Sequence, residues 1–320
     1  MTLFDPPAND TLLPMPGLEP DNLLAFLALM GLLGALEAAR PDWYPRACWK
    51  GPPWVAQLSL AARVEETEVA QAANEGILEL VKHFKLDATR KNVDFEREDY
   101  RRYARQVRDD AVAASLAAAL TAEWPPKNNG RLPASPLVMM FGQGHQNFLE
   151  RLVDVPSGKL PNRLRKLNSP PDMTDAGKIA EALFSAWRRK DDADGFRWDP
   201  QDDQRYALRY RDPSPEGAAP TVLGANRLAA IGFLSFPTTP SERELRTAGT
   251  IRADREWYFV WPIWSQPLSR SCIEALLNHP GLVSGKLDEV RLLGVVEIFR
   301  ARRVANGKFM NVVRASPVHS

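Results

Sequence analysis

With 44% apolar residues in a 320-residue chain, there is material for one large core or two ordinary ones. The 41 lysines and arginines are balanced by 40 aspartates and glutamates, which excludes a global basic field that would pull the chain onto DNA or an anionic membrane. Any nucleic-acid contact must come from a local patch, and the two widely separated cysteines, Cys48 and Cys272, fit reduced thiols in the cytoplasm better than a disulfide framework.

Residues 1–20 hold five prolines and little periodicity, and Asp21 or Asn22 is placed to cap the apolar helix that follows. The uncharged run Leu23 to Leu36 spans only about 21 Å as a helix, too short for a bilayer, so it reads as a buried core helix with no membrane role. Gly31 and Gly34 within it allow close approach of another element. Trp54 to Leu60 alternates as a short strand. Glu65 to Lys85 has helical spacing, with Val69, Ala73, Ile77, Leu80 and Phe84 on one face.

Asp94 to Glu123 lacks Gly and Pro and reads as one long helix ended by Trp124-Pro125-Pro126. Lys127 to Pro171 is loop-rich, with an apolar block at Leu137 to Phe141 and a helix from Asn147 to Val153. Thr174 to Lys190 is amphipathic through Ile179, Leu183, Phe184 and Trp187. The acidic, proline-bearing stretch 191–220 leaves two readings, lobes at 1–190 and 221–320 divided there or one continuous core.

In the last third, Gly224-Ala225-Asn226 precedes an apolar helix, and Trp257 to Pro262 suits a strand, with Pro262 favouring an edge. Ser269 or Ser271 caps a helix running to His279, and Asp288 to Arg300 reads as a further helix. Ala305-Asn306-Gly307-Lys308 then forms a hairpin turn between Arg302-Arg303-Val304 and Phe309 to Val313. The expected class is α+β, mainly α-helical, with a few short strands and a C-terminal β-hairpin.

Four segments, in order, resemble the large-subunit family of type I-G (formerly I-U) CRISPR surveillance complexes. They are Leu18-Glu19-Pro20-Asp21-Asn22 running into Leu33; Phe141-Gly142-Gln143-Gly144-His145 running into Leu152; Arg197-Trp198-Asp199-Pro200 and Arg205 to Arg209 with Gly224-Ala225-Asn226-Arg227-Leu228-Ala229; and Trp261-Pro262-Ile263-Trp264 with Gly294 to Val313. The resemblance implies a non-enzymatic subunit without a cofactor. Such a subunit sits in a crRNA-bearing complex beside backbone subunits, touches double-stranded DNA next to the target and helps hold the opened strands. Base pairing then reads the sequence while protein reads a short flanking motif and backbone shape.

Several local patches are candidates for that contact. Arg97, Arg101, Arg105 and Arg108 recur at helical spacing, although Glu96, Glu98, Asp99, Asp109 and Asp110 stand beside them and make a salt-paired solvated face the competing reading. Lys159, Arg163, Arg165 and Lys166 lie in a loop almost free of acid, which suits backbone contact. Asn128, Asn129 and Arg131 are candidates for base edges, against the plain reading of an Asn-Gly turn. Gly142-Gln143-Gly144-His145 offers backbone amides to a phosphate, or is simply a structural loop.

Two other classes compete. Asp191, Asp192, Asp194, Asp199, Asp202 and Asp203 suggest a metal-dependent nuclease, but no Lys or His arrangement accompanies them and a solvated loop explains them as well. Trp257, Trp261 and Trp264 suggest an adaptor that docks partners through an aromatic surface, with core packing as the alternative.

Overall fold

The computed structural model describes residues 11–87, 90–125, 130–140, 147–159, 174–201, 220–241, 244–306 and 309–318. At the centre is helix α1 (Leu23–Ala39), whose side chains from Leu23 to Leu36 are all buried. A helix apolar all round must be enclosed on every side. Helices α2 (Glu66–Val81) and α7 (Leu223–Gly232) pack against it. A methyl group built on Gly31 would stand 1.8 Å from the Leu228 carbonyl oxygen, one on Gly232 would stand 1.9 Å from that of Leu27, and one on Gly76 of α2 would stand 1.9 Å from that of Ala35. The backbones therefore touch where a Cβ has no room. Gly34 does not share this role, since its nearest neighbours are side chains of Arg270 and Ile231 at 3.5 Å.

The proline-rich start contains a strand rather than an irregular segment. Strand β1 (Thr11–Met15) pairs antiparallel with β3 (Val55–Leu60), which also pairs with β2 (Arg46–Lys50), in the order β1-β3-β2. Pro14 is tolerated because β1 lies at the edge.

The segment expected as one long helix is two, α3 (Arg97–Val107) and α4 (Ala111–Leu120). Asp110 breaks it: its carboxylate accepts the Ala113 amide at 3.1 Å and so starts a new helix. The same carboxylate takes His83 Nδ1 at 3.0 Å and Lys85 Nζ at 2.9 Å, and these hydrogen bonds hold its pKa well below the usual range. Helix α5 (Phe148–Asp154) follows. Helix α6 (Asp175–Phe184) ends before Trp187, shorter than expected, and the chain then passes through a left-handed Arg189 (φ 49°).

The acidic stretch was expected to be a solvated loop, yet its described part is built into the interior. Short strands β4 (Asp191–Asp192) and β5 (Pro220–Thr221) pair across it, and Phe196, Trp198 and Asp199 are each 0% exposed. Phe196 stacks on Trp198 at 4.5 Å, Trp198 stacks on Phe233 at 6.0 Å, and the Trp198 indole donates to the Leu137 carbonyl at 2.9 Å. One cluster of buried side chains runs from Met15 to Val312 and includes these.

After a 3₁₀ turn and the small pair β6 (Thr238–Pro240) and β7 (Leu245–Thr247), a larger antiparallel sheet forms from β8 (Thr250–Ala253), β9 (Glu256–Trp264), β10 (Val295–Asn306) and β11 (Phe309–Val312), in the order β11-β10-β9-β8. β12 (Ser316–Pro317) adds to β10. Helix α8 (Arg270–Leu277), capped by Ser269, and the single turns α9 (Pro280–Val283) and α10 (Leu287–Val290) lie between β9 and β10.

The helix expected over Asp288 to Arg300 therefore survives only as α10 and a 3₁₀ turn. Gly294, at φ 86°, ends it, and the β-branched run Val295-Val296 with alternating residues beyond forms the long strand β10. β10 pairs with β11 through Asn306 opposite Phe309. Strand β9 is not an edge strand overall, but β8 stops opposite Phe259, so Pro262 lies where only β10 flanks it. The class is a mixed α+β fold.

The sheet docks on α1 through tryptophans. Trp261 stacks on Phe26 at 5.7 Å and donates to the Pro20 carbonyl, while Trp264 donates to the Ala47 carbonyl at 2.6 Å. Both are buried, so the aromatic docking surface expected of them is interior packing. Among the described residues, no helix is long and apolar enough to cross a membrane.

Candidate nucleic-acid interface

The arginine stripe on α3 is largely neutralised. Arg101 donates to Glu98 at 2.7 Å and grips Glu123 with two donors, one of them at 3.0 Å. Arg97 lies 3.7 Å from the same Glu123 carboxylate and donates to the Trp124 carbonyl, and Arg108 lies 3.4 Å from Asp109. The hydrogen bonds from Arg101 hold the Glu123 carboxyl below its ordinary range. Of these four arginines, Arg105 alone is exposed with no ion pair to another described residue. A row of cations already sharing carboxylates releases few counterions on meeting a phosphate.

Arg131 does not stand free to read a base. It donates to the Asp94 carbonyl at 2.6 Å and lies 3.5 Å from Glu96, tying the segment after α4 back to the start of α3. Lys159, at the end of the α5 turn, lies 3.8 Å from Asp154. Asn128, Asn129, Arg163, Arg165 and Lys166, and the Gly142 to His145 loop, lie outside the described residues.

Three of the carboxylates considered for metal binding are held by cations. Asp191 accepts Lys178 Nζ at 2.6 Å and the Leu223 amide at 2.9 Å. Asp194 pairs with Arg151 at 3.1 Å, and Asp199 accepts Arg189 Nε at 2.7 Å. Their oxygens serve buried ion pairs on different elements and do not converge. The Asp192 side chain, Asp202 and Asp203 lie outside what is described. Among the described residues, no cluster of three His, Cys, Asp or Glu is placed to hold a metal ion.

A different patch emerges on the C-terminal sheet. Trp257 of β9 faces Arg252 of β8 as a cross-strand pair, and Arg302 of β10 pairs with Tyr258, which brings Arg303 beside Trp257 on the other flank. The two guanidinium groups lie 5.8 Å (Arg252) and 6.0 Å (Arg303) from the Trp257 ring centre. By strand alternation this row shares its face with Phe259 and Trp261, and it lies where that face passes from the core towards solvent.

Arg303 is anchored by donating to the Pro136 carbonyl at 3.1 Å. Burial, and then the charge of Arg252, pull its pKa down to about 10, so it remains a cation at neutral pH. Among the described residues, no carboxylate pairs with Arg252 or Arg303. Two like charges and an indole on a rigid ladder can accept an anion and a flat ring together. On the opposite face Arg300 lies 5.8 Å from the Tyr258 ring, while Arg302 is occupied by Glu256 at 3.2 Å.

Trp257 and Arg303 each read as strand residues, but the row escaped sequence reading because the helix expected over Asp288 to Arg300 gave no reason to pair the two runs. The signal was there in the alternation of Arg303, Ala301 and Phe299 opposite Trp257, Phe259 and Trp261, legible once both runs are taken as strands. Neither protein-family models, nor curated proteins, nor solved structures give a match to this chain.

Proposed function

We propose that this chain is a non-catalytic subunit of a type I CRISPR RNA-guided surveillance complex, acting in the cytoplasm against invading DNA. In this role it contacts crRNA-bearing backbone subunits and double-stranded DNA beside the target. The observation that carries the nucleic-acid part of this reading is the Arg252–Trp257–Arg303 row, a basic and aromatic surface without neutralising carboxylates among the described residues. The segments of family resemblance carry the rest. The chain is near electroneutral, so contact through such a patch predicts modest, salt-sensitive affinity rather than strong nonspecific binding.

A second reading, an assembly adaptor without DNA contact, is favoured by one observation. Leu292 is 98% exposed, with Leu293 and Val296 partly exposed beside it, an apolar point suited to a partner subunit.

The test is to express the chain with its genomic neighbours and a crRNA, isolate the RNA-containing particle, and measure binding of target duplex. The complex reading expects the chain in the particle, with Arg252→Ala weakening DNA binding while leaving assembly intact. Absence of the chain from every such particle would remove the reading. Retention of the chain with DNA binding untouched by Arg252→Ala, but assembly lost on Leu292→Asp, would establish the adaptor instead.

A further inference from the structure

We propose that the cleft between α3 and the residues following α2 binds a small organic anion with an apolar body, at a site independent of the nucleic-acid contact above. The cleft encloses about 470 Å³, towards the smaller end of the range of about 300–1,000 Å³ that small-molecule pockets occupy. One wall is a face of α3, where Asp99, Arg102, Tyr103 and Gln106 recur at helical spacing and so stand together. The floor is apolar. Leu149 of α5 and Phe95 are buried, and Leu86 and Tyr103 are half-buried. The Phe95 ring is covered by the Tyr103 ring, stacked at 5.7 Å, and by the Arg90 guanidinium, 4.5 Å from its centre.

The mouth holds donors that the fold leaves unspent. Exposed Arg102 gives one nitrogen to Asp99 and keeps the rest of its donor fork, and exposed Lys85 meets Asp110 at 2.9 Å with one of its ammonium protons. Exposed Gln106 makes no side-chain hydrogen bond among the described residues. The acceptors, by contrast, are committed. One Asp99 oxygen takes Arg102 and the other takes Arg90 at 3.0 Å, while Asp110 holds His83, Lys85 and the Ala113 amide. Spare donors above an apolar floor match a carboxylate or phosphate head, bound by charge-assisted hydrogen bonds, on a body that covers Leu86 and Tyr103. Asp87 shares the lining, and Asp94 and Asp110 pair with its cations, so no strong net field assists. Affinity must therefore draw on both ends of the ligand.

Isothermal titration calorimetry on the full chain compares phenyl phosphate, benzoate, inorganic phosphate and phenol. At least one of the two ring-bearing anions is expected to bind about tenfold tighter than inorganic phosphate or phenol, and the tighter of the two tells a phosphate head from a carboxylate head. Arg102→Ala, with Asp99 still held by Arg90, should weaken that anion by about tenfold, whereas Arg105→Ala, on the same helix but outside the lining, should leave it unchanged. Leu86→Ser should weaken it by about fivefold through lost apolar contact without altering the response to inorganic phosphate. Ring-bearing anions that bind no tighter than inorganic phosphate or phenol would overturn the proposal, as would binding untouched by Arg102→Ala or the absence of binding at millimolar probe. A thermal melt of each variant separates loss of contact from loss of fold, and Leu86→Ala replaces the serine variant if that one melts below the titration temperature.

Discussion

Asp199 accepts a hydrogen bond of 3.1 Å from the Asn22 side-chain amide, and the carbonyl oxygen of that same Asn22 caps the central helix by accepting the Leu24 amide at 3.0 Å. Asp199 is also the buried partner of Arg189, at 2.7 Å and 3.3 Å, so one carboxylate holds both the helix start and a buried guanidinium. Removing one partner of a buried pair leaves the other charge uncompensated. Asp199→Ala is expected to cost about 3–5 kcal/mol, read as a fall in the urea midpoint. Replacing both, as Asp199→Leu with Arg189→Met, should cost clearly less than the single change. Equal loss in the two variants would show that the cap on Asn22 outweighs the ion pair.

The crossing of α1 and α7 gives a second expectation. Because a methyl group on Gly31 would overlap the Leu228 carbonyl, Gly31→Ala must push two packed backbones apart. A loss of about 3 kcal/mol is expected, at the upper end of the ordinary cost of overpacking. Gly34→Ala, next to adjustable side chains on the same helix, should be neutral or stabilising, since alanine favours a helix over glycine by about 1 kcal/mol. Chemical denaturation of the two variants side by side checks the contrast.

The tight turn joining β8 to β9 places Asp254 at φ 51° and Arg255 at φ 68°, with Ala253 opposite Glu256. Two positive φ values in a two-residue hairpin loop suit Asp-Gly, and a side chain at the second position carries left-handed strain of about 1 kcal/mol. Arg255→Gly is therefore expected to raise the melting temperature slightly and to leave nucleic-acid affinity unchanged if the row above, not the turn, makes the contact. A lowered melting temperature would show that the entropy of the added glycine dominates.

Tyr100 and Tyr103 on α3 set an alkaline limit. Burial pushes both phenols up to about 12, and the Tyr100 hydroxyl donates to the Thr121 carbonyl at 2.8 Å. In the unfolded chain a tyrosine ionises near 10, so the folded state holds these protons more tightly. Their contribution is complete below pH ~10 and is lost as pH rises from about 10 towards 12. The melting temperature should fall across that window, and Tyr103→Phe, which replaces a buried hydroxyl without a hydrogen-bond partner among the described residues, should make the fall shallower. An unchanged slope in that variant would place the alkaline sensitivity elsewhere.

Much of the helical framework was legible because its signals are local. The run from Leu23 to Leu36 and the face Val69-Ala73-Ile77 read directly as what they become, and each cap narrows to two residues, Asp21 or Asn22 and Ser269 or Ser271, of which the fold uses Asn22 and Ser269. The nucleic-acid candidates fared differently. A stripe of arginines at helical spacing looks identical in sequence whether its carboxylate neighbours lie within reach or point away, and Glu123, the residue that neutralises Arg101, comes from beyond the next helix.

The sequence by itself determined the balance of charge, the buried central helix and the capped starts of several other helices, since periodicity and side-chain-to-backbone bonding act within a few residues. Tertiary structure alone decided that Asp110 splits a helix, that Asp199 is an interior ion-pair partner, and that Val295 to Arg300 extend the hairpin arm as strand rather than helix. Those outcomes depend on partners far away along the chain: His83 and Lys85 for Asp110, Arg189 and Asn22 for Asp199, and strand β9 for Val295 to Arg300. A carboxylate's burial and a residue's face on a sheet are set by what packs against them, and only the folded chain brings Arg252, Trp257 and Arg303 into one row.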